Sequence, residues 1–289
     1  MSLNNKIISI SILILVGLPL VVGVVGFQKY QAREEAKKKA IKPREEVNVT
    51  IIPGWTMRQV ATDWVNKGFF KSEDEVYKLL GKPAYKYGGL GNAAPEISVK
   101  FPEASILKEK EKNASYEGFI FPDTYRVYKD AKPEDLLQKI FDNLEQKITP
   151  EMRMEISKQN KTFFEILTMA SIVEKEAPDA SSMAKVADIF WRRLNMNWAL
   201  QSCATVNYIT GKTTPAVSLD DTKIDSLYNT YKYRGLPPGP IANPSLTAIK
   251  AVIYPEKNDY WYFLSDDEGN IYYSKTLEQH NAYKARYLK

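Results

Sequence analysis

Glu174 is the residue whose type and setting point most directly to acid–base chemistry. It lies in Lys161–Pro178, KTFFEILTMASIVEKEAP, where apolar residues recur at helical spacing. Steps of about 100° per residue from Phe163 place Glu174 inside the apolar arc and place Lys175 and Glu176 toward the polar side. Loss of hydration disfavours the charged form of a carboxyl group, so we expect a raised pKa for Glu174, as a general acid requires. An ion pair or a water-facing position at the end of the helix is the structural alternative.

The ends of this helix are marked in the sequence. Thr162 followed by Glu165 is a capping box, and Pro178 cannot continue a helix. The same pattern opens two earlier predicted helices, at Thr56 with Gln59 and at Ser72 with Glu75. Further helices are predicted over Pro133–Lys147, Ser182–Leu194, Ser245–Val252 and Leu277–Leu288, and strands over Val47–Ile52, Tyr260–Leu264 and Ile271–Ser274. Together these elements predict an α+β fold.

Composition narrows the classes of function. The chain has 289 residues with a hydrophobic content of 44%, which is enough for a packed core, and a formal net charge of only +5. Basic and acidic residues are mixed along the chain, so nucleic acid is not an expected partner. Cys203 is the only cysteine and His280 the only histidine, which excludes an internal disulfide and argues against a metal site. We therefore expect neither a metal nor another cofactor.

The N-terminal part predicts a membrane anchor over residues 1–27. Ile7–Phe27 is an uncharged run about as long as a helix that crosses a bilayer. A cleaved signal peptide is the alternative, but the run is longer than the usual apolar core of such a peptide and no small-residue cleavage site closes it. The flanking charges do not fix the orientation of the anchor. Residues 28–46 follow as a charged stalk.

The rest of the chain divides into two predicted domains. Residues 47–84 show the order strand, helix, helix, and this pattern resembles a LysM-like module, a small fold often used to hold N-acetylglucosamine polymers. A small packing subdomain without a ligand is the alternative. Residues 85–102 are rich in Gly, Pro, Ala and Asn and predict a linker. Residues 103–289 then form a larger α+β domain that contains Glu174.

Two stretches combine polar and aromatic residues in a way that suits a saccharide cleft. In Tyr116–Tyr128, YEGFIFPDTYRVY, polar side chains interrupt a strand-like aromatic run. In Tyr228–Pro244, YNTYKYRGLPPGPIANP, the Pro and Gly residues fix backbone angles beside Tyr and Asn side chains. Rigid walls of this kind suit sugars, which present apolar ring faces edged by hydroxyls. Buried structural hydrogen bonds would use the same residue types.

Five blocks, in order, resemble the YceG-like (MltG) family of membrane-anchored endolytic murein transglycosylases. They run from Glu117 to Asn281 and read EGFIFPDTYRV, ILTMASIVEKEA, VADIFWRRLNMNWALQS, YNTYKYRGLPPGPIANPSLTAIKA and YFLSDDEGNIYYSKTLEQHN. The resemblance implies a YceG-like catalytic domain over 103–289, in which Glu174 is the catalytic acid–base residue. The predicted sugar-contacting residues of its cleft are Glu117, Asp123, Tyr125, Gln201, Ser202, Thr205, Tyr208, Tyr228, Asn229, Tyr231 and Asn243.

The resemblance also implies a reaction and a place in the cell. The expected reaction cleaves the β-1,4 bond between MurNAc and GlcNAc within peptidoglycan strands, and the MurNAc C6 hydroxyl closes on C1 to leave a 1,6-anhydro end. Glycosidases generally need two carboxyl groups, but here the substrate supplies the nucleophile, so Glu174 would act first as acid and then as base. The implied location is the bacterial inner (cytoplasmic) membrane, crossed once, with the catalytic domain outside the cytoplasm and penicillin-binding synthases as partners.

One block departs from the family pattern and keeps two other hypotheses open. Family members usually read LQSDPTVxY where this chain reads LQSCATVNY, so Cys203 and Ala204 replace Asp and Pro. The departure motivates a second hypothesis, a catalytically weak peptidoglycan-binding scaffold in cell-wall assembly. A third hypothesis, a muramidase that uses water, needs a second carboxylate near Glu174, and Asp123 and Glu117 are its candidates.

Overall fold

The computed structural model describes residues 26–35, 44–83, 105–111, 114–212, 217–266 and 268–288. The chain divides into two compact units, Met1–Glu45 and Glu46–Lys289. In the first unit, residues 26–35 are helical (α1). Nearly all of the predicted anchor over 1–27, and the predicted linker over 85–102, lie outside the described residues. Within the described ranges, no helix is both long enough and apolar enough to span a membrane.

The second unit combines helices with short strands. The strands are β1 (Glu46–Thr50), β2 (Thr124–Tyr128), β3 (Tyr262–Ser265) and β4 (Ile271–Ser274). The helices are α2 (Met57–Asn66), α3 (Glu73–Leu80), α4 (Pro133–Lys147), α5 (Pro150–Lys158), α6 (Phe163–Glu176), α7 (Ala180–Asn195), α8 (Cys203–Thr210), α9 (Leu246–Ile253) and α10 (Leu277–Tyr287). Short 3-10 turns cover Ser105–Glu109 and Asp221–Lys223. The α+β prediction is confirmed.

A small sheet crosses the predicted boundary between the two domains. β1 pairs antiparallel with β2, from Glu46 opposite Tyr128 to Thr50 opposite Thr124. The order is therefore β1, α2, α3 and then, after an insertion, β2. α2 packs on α3, and α4 packs on β2. Residues from 47 to 84 thus belong to the same compact unit as the remainder of the chain up to Lys289.

α6 is the central helix of the second unit. Its start has the predicted capping box, in which the Thr162 N–H donates to Glu165 Oε2 at 2.8 Å and the Glu165 N–H donates to Thr162 Oγ1 at 3.2 Å. α5, α7, α8 and α9 pack around the helix. Every residue from Phe163 to Val173 except Glu165 is buried. Because the helix is enclosed on nearly all sides, periodicity separates a polar face from an apolar face only in its last turn.

Two local predictions are wrong. Ser72 makes no side-chain cap to α3, and Glu75 Oε2 instead accepts from the Lys71 N–H at 3.0 Å. In the aromatic stretch that starts at Tyr116, only Thr124–Tyr128 is a strand, because the earlier residues turn instead of extending. The paired segments β3 and β4 confirm the predicted hairpin near the C-terminus.

Candidate active site

Glu174 lies in the last turn of α6, where the helix leaves the core, and it is half-buried. Its Oε2 atom accepts two hydrogen bonds from Ser245, one from the backbone N–H at 2.9 Å and one from the hydroxyl at 2.6 Å. Ser245 is the N-cap of α9, and its Oγ also accepts from the Ala248 N–H at 3.1 Å. One hydroxyl therefore both caps α9 and fixes the Glu174 carboxyl group.

The other oxygen of Glu174, Oε1, makes no hydrogen bond to any residue that the structure describes. Gly54, in the turn between β1 and α2, lies against the same side chain. A Cβ atom on Gly54 would lie 3.5 Å from Glu174 Cγ, and the Gly54 carbonyl accepts from Lys175 Nζ at 3.3 Å. The carboxyl group is thus held through one oxygen and open at the other, which is the arrangement a proton donor needs.

Asn243 joins three chain segments around Glu174. Its side chain is fully buried, donates from Nδ2 to the Trp55 carbonyl at 2.9 Å and accepts at Oδ1 from the Ile120 N–H at 3.0 Å. Its backbone carbonyl accepts from the Gly54 N–H at 2.9 Å. Asn243 was predicted to contact sugar, but its side-chain hydrogen bonds lie within the protein, so it holds the Gly54 turn beside Glu174.

The two polar and aromatic stretches meet in the structure. Gly118 has a φ of 86°, and a Cβ atom there would lie 2.6 Å from Pro240. Only glycine allows both this backbone conformation and this approach. A Cβ atom on Gly239 would lie 3.2 Å from Phe164 and 3.4 Å from the Tyr228 hydroxyl. The segments around Tyr116 and Tyr228 therefore form adjoining walls against α6.

Glu117 is a buried carboxyl group, 2% exposed. Its Oε1 accepts from the Met57 N–H at 2.6 Å and its Oε2 accepts from the Tyr208 hydroxyl at 3.0 Å. Desolvation raises the pKa of Glu117 to about 7, against the opposing effects of these two hydrogen bonds and of the Arg58 charge. Because Met57 opens α2, Glu117 fixes the start of this helix, and with it the Gly54 turn, against α8. Its two oxygens are used within the fold, so we assign it a supporting role.

Glu176 lies against the start of α8. It was predicted on the polar side of α6, but it is half-buried and accepts a short hydrogen bond from the Ser202 hydroxyl at the start of α8. Burial raises the pKa of Glu176, while hydrogen bonds from Ser202 and the Ala204 N–H and the charge of Arg193 lower it. The prediction is wrong because the periodicity of one helix does not show which neighbouring helix end approaches its last turn.

Ser202 and Thr205 are buried at the start of α8. The Ser202 N–H donates to Thr230 Oγ1 at 3.1 Å, and Thr205 Oγ1 donates to the Ser202 carbonyl at 2.8 Å. Next to them, Cys203 Sγ lies 3.1 Å from the Tyr231 hydroxyl. Burial is the main cause that raises the pKa of Tyr231. The Cys203 thiol therefore pairs with a tyrosine of the opposite wall.

The other predicted sugar contacts fall into buried and accessible groups. Asn229 is fully buried and donates to two main-chain carbonyl oxygens, 2.9 Å and 2.8 Å away. Tyr125 is buried, and its hydroxyl donates to a main-chain carbonyl at 2.7 Å. Asp123 and Gln201 are exposed, and Tyr228 is half-buried. Tyr231 is also half-buried, so solvent reaches the side chains of four predicted sugar contacts, and these four are placed to meet a ligand.

Comparison with known proteins connects this geometry to a family. The model of the YceG-like family matches residues 20–286. The chain belongs to the YceG-like family. A crystal structure of a YceG-like protein from Listeria monocytogenes is similar, with a TM-score of 0.65 and 30% identity over 88% of this chain and 80% of that chain.

Two relatives of this YceG-like chain carry the name endolytic murein transglycosylase. The protein from Bacillus subtilis (strain 168) is 35% identical over 243 residues, which are 83% of this chain and 65% of that protein. The protein from Streptococcus pneumoniae serotype 2 is 33% identical over 283 residues, which are 92% of this chain and 50% of that protein. The chain therefore spans about half to two thirds of the length of these relatives.

Three residues near the site of this YceG-like chain are not among the predicted site residues: Gly54, Glu176 and Ser245. For Ser245 the sequence signal is its place at the start of the predicted helix Ser245–Val252, since serine is a favoured N-cap residue. Within the described ranges, no group of three or more His, Cys, Asp or Glu side chains could hold a metal ion.

Proposed function

We propose that this chain is an endolytic lytic transglycosylase that cuts the MurNAc–GlcNAc β-1,4 bond of peptidoglycan glycan strands. The observation that carries the proposal is the Glu174 carboxyl group, fixed by Ser245 through Oε2 while Oε1 makes no hydrogen bond within the described residues. Membership of the YceG-like family and relatives named endolytic murein transglycosylase support this substrate class.

In the first step of the proposed mechanism, Glu174 acts as an acid. Its proton moves to the glycosidic oxygen as the bond between that oxygen and MurNAc C1 breaks, and the GlcNAc fragment leaves with a free C4 hydroxyl. Positive charge develops at MurNAc C1. The carboxylate that remains keeps both hydrogen bonds from Ser245, and hydrogen bonds to an ionised acceptor are stronger than those to a neutral one.

In the second step Glu174 acts as a base. The carboxylate takes the proton of the MurNAc C6 hydroxyl as O6 bonds to C1, which closes the 1,6-anhydro ring and returns Glu174 to its protonated form. No water is consumed, and the proton count balances over the two steps. One carboxyl group is enough because the attacking oxygen belongs to the substrate, whereas a hydrolase needs a second carboxyl group.

The same proposal includes a place for the protein. Ile7–Phe27 has the length and composition of a membrane-spanning helix and would anchor the chain in the bacterial cytoplasmic membrane with the catalytic unit outside the cytoplasm. There it would meet nascent strands, and penicillin-binding synthases are the proposed partners. The order β1, α2, α3, β2 supports a LysM-like, glycan-holding role for the part of the chain whose Gly54 turn touches Glu174.

Digestion of long, uncross-linked glycan strands by the full chain in mild detergent tests this function. We expect the mean strand length, measured by size-exclusion chromatography, to fall early and without release of disaccharides, because an endolytic enzyme cuts at internal bonds. Release of disaccharides from the first time point would contradict endolytic action. An unchanged length distribution would favour the binding scaffold.

A further inference from the structure

Glu176 joins the end of α6 to the start of α8. It is the last residue of α6, two positions beyond Glu174, and it accepts a short hydrogen bond from the Ser202 hydroxyl. Ser202 is the N-cap of α8 but makes no side-chain cap to its own helix. A serine at this position usually caps the helix that it opens. Here its hydroxyl instead ties α8 to α6.

Arg193, from α7, holds the segment just before α8 through a separate set of hydrogen bonds. It is 6% exposed, and its guanidinium donates to the Leu200 carbonyl at 2.5 Å and to the Trp261 carbonyl at 2.7 Å and 3.1 Å. Its positive charge also attracts the Glu176 carboxylate. The chain just before α8 is therefore fixed at Leu200 by a buried cation and at Ser202 by a carboxylate.

Gln201 lies between these two fixed points in a strained conformation. Its φ is 56°, in the left-handed region that non-glycine residues rarely adopt. The backbone is held there because its N–H donates to the Thr230 carbonyl at 3.1 Å, while its side chain is exposed. Residues held in such conformations by their surroundings cluster at ligand-contacting positions. The fixed backbone therefore leaves the side-chain amide of Gln201 exposed to solvent.

We infer that Glu176 is a positioning residue, which holds the segment Leu200–Ser202 so that the exposed Gln201 amide binds the glycan strand. The inference rests on the proposed function and adds a binding role to the catalytic role of Glu174. Since Glu176 acts through other residues and does not touch the reacting atoms, its loss weakens binding of substrate and transition state alike. Such a change raises KM and leaves kcat nearly unchanged.

Steady-state kinetics of Glu176→Gln, Ser202→Ala and the double variant test the inference. We expect each single variant to raise KM by about 10-fold, the scale of a lost hydrogen bond to a charged group, with kcat changed by less than about 2-fold. The double variant should raise KM no further than the more affected single variant, because both changes remove one interaction. Glu165→Gln is the matched control on the same helix, since Gln also completes a capping box, and it should leave KM unchanged.

Binding of uncleaved strands separates this inference from the proposed function. Tryptophan fluorescence titrations compare strand binding by Glu174→Gln with strand binding by Glu174→Gln/Glu176→Gln. Neither protein has to cleave the strand for its binding to be measured. Weaker binding by Glu174→Gln/Glu176→Gln supports the positioning role of Glu176. This result stands even if the wild-type chain does not cleave strands and the proposed function is wrong. The inference would be overturned by equal strand binding of the two proteins, or by a lowered kcat with unchanged KM in the single variants. It would also be overturned by additive effects in the Glu176→Gln/Ser202→Ala variant, or by a lower melting temperature with no change in KM.

Discussion

Replacement of Glu174 by Gln is expected to lower the rate of glycan cleavage by about 10² to 10⁴-fold, the range that a general acid–base residue contributes. Gln has nearly the same shape, and its carbonyl oxygen can still accept from the Ser245 N–H and hydroxyl. It has no proton to give to the glycosidic oxygen and cannot take one from the C6 hydroxyl. The measurement is the initial rate of strand shortening, with circular dichroism to show that the fold is kept.

Glu176→Gln is the sharpest comparison for that experiment. Glu176 lies in the same helix turn, and burial raises its pKa, which by itself marks a candidate acid. Its carboxylate, however, is engaged by the Ser202 hydroxyl. We therefore expect kcat to survive Glu176→Gln and to collapse in Glu174→Gln. The opposite pattern would assign the acid–base role to Glu176.

Replacement of Glu117 by Gln is expected to remove a pH dependence of folding stability. The Glu117 pKa is about 7 in the folded protein against an ordinary value of 4.5. Between these two pH values the folded protein keeps a proton that the unfolded chain releases. The contribution of Glu117 to the free energy of unfolding is therefore full below pH 4.5 and is lost as the pH rises through about 7. The difference corresponds to ~3 kcal/mol. Gln resembles the neutral carboxyl group and does not titrate.

Denaturant unfolding of the full chain in mild detergent, followed by tryptophan fluorescence, measures this effect. From about pH 4 to about pH 8, the free energy of unfolding of wild type relative to Glu117→Gln should fall by ~3 kcal/mol. Groups that titrate in both proteins cancel in that difference. Asp123→Asn, which removes an exposed carboxylate, is the control for the loss of a negative charge. A difference between wild type and Glu117→Gln that is constant with pH would contradict the burial of an ionisable group at this position.

Local features of the fold were predictable because their causes lie close together in the chain. The capping boxes of Thr162 with Glu165 and of Thr56 with Gln59 are present as predicted, since the two partners are three residues apart. Ser72 failed as a side-chain cap because the sequence does not show that Glu75 bonds the preceding Lys71 N–H.

Features that depend on distant partners were not predictable. The pairing of β1 with β2 brings Glu46 opposite Tyr128, and nothing in the short alternating run specifies that strand as its partner. The roles of the site residues also depend on partners that are distant in the chain. Residue type marked Asn243 and Glu117 as cleft residues, but only the tertiary structure shows that their polar atoms bind main-chain groups or Tyr208 inside the protein. Solvent-facing and inward-facing polar residues look alike in sequence.

Digestion in water enriched in oxygen-18 tests most directly whether Glu174 works with the substrate's own hydroxyl group. Attack by MurNAc O6 leaves 1,6-anhydro ends, which take up no solvent oxygen and are lighter by one water than reducing ends. We predict that mass spectrometry of strands cut by the wild-type chain shows anhydro ends without oxygen-18. Reducing MurNAc ends that carry oxygen-18 would contradict the transglycosylase mechanism and identify a hydrolase.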